Sequence, residues 1–133
     1  MPSLRRRPTD PNLADRVRSE VTRMLAILDD AAMTGNLAKL GQCFAADALS
    51  EIRARFSAYQ MAGIQVSPFR ESLNLEVDPN PGTGVARARI RYRDRTSFMC
   101  AGAAPTSAND PVQLLISFDR SQEPWRIVSI VEE

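Results

Sequence analysis

The sequence predicts an α+β fold: three N-terminal helices packed on a bent four-stranded antiparallel sheet. Three observations lead there. Apolar residues recur every third or fourth position as far as Gly63 and every second position after it, the periods of helix and strand. The turns between the later segments are too short to hold crossover helices, so those segments are antiparallel neighbours. The stretch V-A-R-A-R-I-R-Y-R-D-R-T-S-F-M-C at 85–100 alternates without a break. Read as one strand, it places Arg87, Arg89, Arg91, Arg93 and Arg95 on one face, with Ala86, Ala88, Ile90, Tyr92, Asp94, Thr96 and Phe98 on the other.

A chain of 133 residues, 44% hydrophobic and 25% charged, has the length of one domain and enough apolar material for a core. Residues 1–12, with Arg5, Arg6 and Arg7 among prolines, have little to bury and read as a flexible basic arm; residues 13–133 read as the domain. From Leu13, the positions Leu13, Val17, Val21, Met24, Leu25 and Leu28 form one helical stripe. Asp10 and Pro11 suit its start and Gly35 its end. Asn36 is placed to cap a short second helix carrying Leu37, Leu40 and Phe44. Asp47 is placed to cap a third, in which Leu49, Ile52, Phe56 and Tyr59 share a face and which Gly63 stops.

Two extended segments follow, 64–66 and 69–77, interrupted by Pro68, with Leu73, Leu75 and Val77 expected on one face. D-P-N-P-G-T-G at 78–84 is a turn. After the arginine strand, 101–111 reads as a loop, 112–119 as a strand, 120–124 as a turn and 125–132 as the last strand. In that last strand Trp125 and Ile127 fall on one face and Val128 and Ile130 on the other. With Leu115 also off the inward row, both faces are apolar, and a homodimer through Leu115, Val128 and Ile130 is the simplest cover for the outer one.

Composition excludes several chemistries. There is no histidine, which removes the commonest general base, the Ser-His and Cys-His nucleophile systems and most zinc sites. No metal and no cofactor is expected. Cys43 and Cys100 sit in apolar patterns and read as buried structural thiols. The net charge is +1, so electrostatic function must come from local clustering. No apolar run is long enough to span a bilayer and no secretory signal opens the chain; if Met1 is native a cytoplasmic location is expected, otherwise the domain belongs to a membrane-anchored protein.

Within these limits two groups of residues carry chemistry. The arginine row has the spacing to meet an anionic surface, an acidic protein or a lipid headgroup layer. It lacks the aromatic platforms on its own face that single-stranded nucleic acid binding uses. Glu76, Asp78, Asp119 and Glu132 are the expected cross-strand partners for the row. On the other face Tyr92 and Asp94 are the candidate catalytic pair if the chain is an enzyme. Tyr59, Tyr92, Asp94, Phe98 and Trp125 are the candidate residues for a ligand or partner.

The amphipathic first helix, the L-A-K-L-G-Q-C-F-A-A-D-A-L region and the closing W-R-I-V-S-I strand, in that order over residues 13 to 132, resemble the NTF2-like (cystatin-like, cone-shaped) superfamily. The resemblance implies a bent sheet wrapped around helices to leave a pocket. Its enzymatic members, such as ketosteroid isomerases, scytalone dehydratases and SnoaL-type cyclases, usually insert a strand or hairpin before the third helix and hold a histidine or second acid in the pocket. Limonene-epoxide-hydrolase-like members use an Asp-Arg-Asp set, of which only Asp94 is identified from this sequence. The element order is closer to the Tim44-like, VirB8-like and Mce-associated members. A non-catalytic binding or assembly module is therefore expected, with an isomerase, lyase or hydrolase using Asp94 as the alternative.

Overall fold

The computed structural model describes residues 11–79 and 81–133. Arg5–Arg7, the Asp10 cap and most of the 1–12 arm lie outside them; Pro11 and Asn12 belong to the first turn of helix α1. Three helices come first: α1 (Pro11–Thr34), α2 (Leu40–Cys43) and α3 (Ala46–Met61). Seven strands follow: β1 (Ile64–Ser67), β2 (Arg70–Val77), β3 (Val85–Asp94), β4 (Ser97–Cys100), β5 (Thr106–Ser107), β6 (Asp110–Asp119) and β7 (Arg126–Glu132). They form a four-stranded antiparallel sheet, β2-β3-β6-β7, and a three-stranded one, β1-β4-β5.

The two sheets are halves of one bent surface. The chain turns the corner after β1, after β3 and before β6, and hydrogen bonds continue across the turn: Arg95 N–H donates to Phe69 O at 2.9 Å and Ala108 N–H to Thr96 O at 2.9 Å. The expected single strand over 85–100 is therefore two. The break has a local cause, since the Asp94 carboxylate accepts the Thr96 amide at 3.0 Å and so closes a turn that an unbroken ladder excludes. Pro68, which has no N–H to donate, stands at the same corner. The expected loop over 101–111 contributes β5 and the first two residues of β6, and the last strand starts one residue late, at Arg126.

The stripe of α1 lies on the sheet's inner face. Val17, Val21 and Met24 meet Ala86, Ala88, Ile90, Ile116, Phe118 and Ile127, all fully buried. Gly35 ends α1 at φ +76°, where its amide reaches Ala31 O at 2.9 Å. The second helix is shorter than expected: Leu37 lies before it and Phe44 after it, and Asn36 caps the turn at Ala38 N–H (3.0 Å) instead of the helix. Asp47 is not the cap of α3 either. The chain enters α3 from the sheet, with Ala45 N–H donating to Ile127 O at 2.9 Å, and Ala45 takes the cap position. Asp47 falls in the first turn, where its charge suits the helix N-terminus.

Two strands are irregular. In β2 the register slips between Glu71 and Asn74, so Ser72 and Leu73 oppose Tyr92 alone, and Ser72 takes φ +60°. In β7 it slips between Ser117 and Phe118, so Val128 is the additional residue. Each bulge changes which side chains face inward. Leu75 and Val77 pack on the core as expected, but Leu73 is exposed and Arg70 turns in. Ile130 turns in as well. It packs on the core, so it is not part of the outer patch; Val131, paired with Leu115, stands there instead and is half exposed.

Candidate functional site

Where the bent sheet, α1 and α3 fail to close on one another they leave a cavity of about 290 Å³. That lies at the small end of ligand pockets, which run roughly from 300 to 1,000 Å³. Its apolar wall comes from Leu28, Ile52, Val66, Val112, Leu114 and Ile130. Three rings form an aromatic side: Phe56 and Tyr59 stack at 6.3 Å, and Tyr59 meets Phe98 at 5.8 Å. Helical spacing puts Phe56 and Tyr59 on one face of α3, and strand alternation puts Tyr92, Asp94, Thr96 and Phe98 in one row across the corner.

The polar side is built around Arg70. Its Nη1 lies 2.9 and 3.0 Å from the two oxygens of Asp29, and its guanidinium sits over the Tyr92 ring at 5.7 Å. Burial pushes the Tyr92 phenol above its ordinary pKa of 10.0, with the charges of Asp94 and Glu132 acting in the same direction and Arg70 against them. The hydroxyl is therefore a proton donor at neutral pH. Asp94 keeps one oxygen on Thr96 N–H. Glu132 makes no ion pair among the described residues, and neither does Arg55, which lines the cavity from the exposed side of α3.

The structure brings Tyr59, Tyr92, Asp94 and Phe98 together and leaves Trp125 elsewhere. Trp125 packs on Phe118 at 6.0 Å, under the Arg16 guanidinium at 4.3 Å, with Arg120 at 5.6 Å. Arg16 is held by Glu123 at 2.7 Å and Glu20 at 2.9 Å. This is a structural clamp at the end of β7 away from the cavity lining. Sequence reading identified one acid for the cavity; the structure adds Asp29, Glu132 and the two arginines. Asp29 had a signal, because it lies on the α1 stripe four residues after Leu25 and three before Ala32. Arg70 and Glu132 had none, because the bulges that turn them in do not show in the alternation.

The arginine row faces outward and is largely compensated. Arg87 meets Asp78 at 3.9 Å, Arg89 meets Glu133 at 2.7 Å, Arg91 meets Glu76 at 3.2 Å and Arg95 meets Glu71 at 3.4 Å. Arg93 bonds the neutral Asn109 at 3.1 Å. Two expected partners are therefore elsewhere: Asp119 accepts from Ser121 N–H at 2.9 Å and Glu132 lines the cavity. Of the two thiols, Cys43 is buried, and that burial lifts its pKa to about 11; Cys100 is only half buried. Among the described residues no group of three or more Cys, Asp or Glu is placed to hold a metal ion, and no helix is long and apolar enough to cross a membrane.

The sequence matches no family model and no curated protein. Solved structures are similar in shape. The intermembrane space region of the chloroplast protein ARC6 superposes with a TM-score of 0.70 at 11% identity, over 95% of this chain and 98% of that one. Aln2 from a Streptomyces species gives 0.57 at 17% identity, over 96% of this chain and 93% of that one. At these identities the likeness concerns the fold alone, and it fits an NTF2-like α+β architecture, three helices on a bent antiparallel sheet.

Proposed function

We propose that this chain is a binding module that takes a small, mostly apolar ligand into the cone, with the ligand's polar end toward Tyr92 and Asp94. The observation that carries this reading is the division of one cavity into an aromatic side, Phe56, Tyr59 and Phe98, and a polar side, Arg70, Tyr92 and Asp94. Apolar surface supplies the affinity and a few placed polar groups orient the ligand. Nuclear magnetic resonance titration with small bicyclic ketones and alcohols tests it. The expected result is shifts clustered at Tyr92, Phe98, Leu114 and Ile130. Shifts confined to the outer sheet face, or none at all, contradict it.

One observation favours the alternative, an isomerase, lyase or hydrolase. Asp29 and Arg70 stand in the same cavity as Tyr92 and Asp94, so the acid count no longer argues against catalysis. Turnover of hydrophobic ketones or epoxides that Asp94→Asn abolishes, with folding intact, decides for the enzyme. Unchanged binding without turnover decides for the module.

The outer patch of Leu115, Val128 and Val131 supports self-association. A dimer in light scattering that Val131→Glu converts to monomer is the expected result, and a monomeric parent contradicts it. An anionic partner finds little free charge in the arginine row, since among the described residues only Arg93 of the five has no acidic partner.

A further inference from the structure

We infer that the ligand taken by this cavity carries an ammonium group on a small apolar or aromatic body. The inference rests on the binding reading above and adds the ligand's charge. The lining holds three carboxylates, Asp29, Asp94 and Glu132, and two guanidinium groups, Arg55 and Arg70. Asp29 and Arg70 neutralise each other at 2.9 Å. Arg55 and Glu132 are both exposed, so water screens each of them. Asp94, which is half-buried, is the carboxylate that remains inside, with Glu132 at the rim, and neither has an ion-pair partner among the described residues. A carboxylate is an acceptor only, so the ligand group that matches these two is a donor with positive charge.

The rest of the lining agrees with a cation. The Tyr92 face already attracts one in Arg70, at 5.7 Å, and Phe56, Tyr59 and Phe98 offer further ring faces to an alkyl or aryl ammonium. A carboxylate ligand would meet Asp94 and Glu132 with like charge. Its natural partner, Arg70, is already occupied by Asp29. A neutral alcohol can still donate to a carboxylate but lacks the charge assistance. Among the described residues no group of three or more Cys, Asp or Glu, these three acids included, is placed to hold a metal ion.

The test compares three probes of one shape, cyclohexylmethylammonium, cyclohexylmethanol and cyclohexanecarboxylate, by the same magnetic resonance titration. The ammonium is expected to bind tightest, about ten-fold better than the alcohol, the size of one charge-assisted hydrogen bond. Combining Asp94→Asn with Glu132→Gln is expected to remove that preference, so that ammonium and alcohol bind alike. Glu132 is exposed, and the amide introduced by Asp94→Asn retains an oxygen for Thr96 N–H, so the double variant keeps its fold. Raising salt from about 0.1 M to about 1 M, which shortens the screening length from roughly 10 to 3 Å, is expected to weaken the ammonium alone. If the alcohol or carboxylate binds as well as the ammonium, or the preference survives the double variant, the charge assignment is wrong and the cavity remains a binding site. If none of the three shifts the cavity resonances, the binding reading fails with it.

Discussion

Strands β3 and β6 are regular along their full paired length, while β2 and β7, which flank them, each carry a bulge. In the regular pair, alternation read from the sequence places every side chain: arginines out, Ala86, Ala88, Ile90, Ile116 and Phe118 in. In the bulged pair one additional residue reverses the rule beyond it, so Arg70 and Ile130 face the cavity and Leu73 and Val131 face solvent. The regular strands thus build the core, and the bulged strands complete the cavity. A bulge is where a sheet can turn a polar side chain inward without disturbing the ladder of its neighbour.

Deleting single residues is the harshest way to break this comparison. Deleting Arg91 from β3 shifts one half of the strand by one position and turns its apolar row to solvent; loss of cooperative unfolding is expected in circular dichroism. Deleting Val128 removes the surplus residue and leaves Ile127 and Ile130 facing inward, so a folded protein with a modestly lowered Tm is expected. Equal damage from both deletions contradicts the bulge assignment.

Truncating side chains sharpens it. Ile116→Ala, in the fully buried row, is expected to cost about 2–5 kcal/mol in denaturant unfolding. Ile130→Ala, beside a cavity that already exists, is expected to cost about 1–2 kcal/mol, because fewer contacts are lost. A larger loss at Ile130 than at Ile116 reverses the division between core and cavity.

The smallest effect is in titration. The Tyr92 phenol is held above 10.0 chiefly by burial, so the folded state keeps this proton longer than the unfolded chain does. Its contribution to stability is complete below pH 10 and declines as pH rises through that value toward the folded one. Ultraviolet difference absorbance is expected to show a phenol ionising above pH 10 that Tyr92→Phe removes. A Tyr92 that ionises at or below 10 contradicts its burial.

How much of this was legible in the sequence follows the same line. The three helices, the antiparallel order and the inward row Tyr92, Asp94 and Phe98 were legible because each rests on a period or on turn length. Asp47 as a cap and Ile130 as a surface residue were misread for separate reasons, and Trp125 falls outside the cavity lining for a third. The chain enters α3 from a hydrogen bond to β7, so no side-chain cap is used. A surplus residue at Val128 is invisible to alternation. The partner that Trp125 takes, Arg16 of α1, is set by tertiary packing. Arg70 and Glu132 were missed because a charged residue next to a bulge looks like any other solvent-facing one.

The β7 bulge points Ile130 into the cavity and Val131 out. Its most direct test places a single thiol at either position, Ile130→Cys or Val131→Cys, after Cys43→Ala and Cys100→Ser have removed the native ones. The rate of modification by a water-soluble, charged thiol reagent is then measured under native conditions. The account predicts rapid modification at 131 and modification at least about ten-fold slower at 130, because only a side chain facing solvent offers its thiolate to the reagent. Faster modification at 130 than at 131 would contradict it.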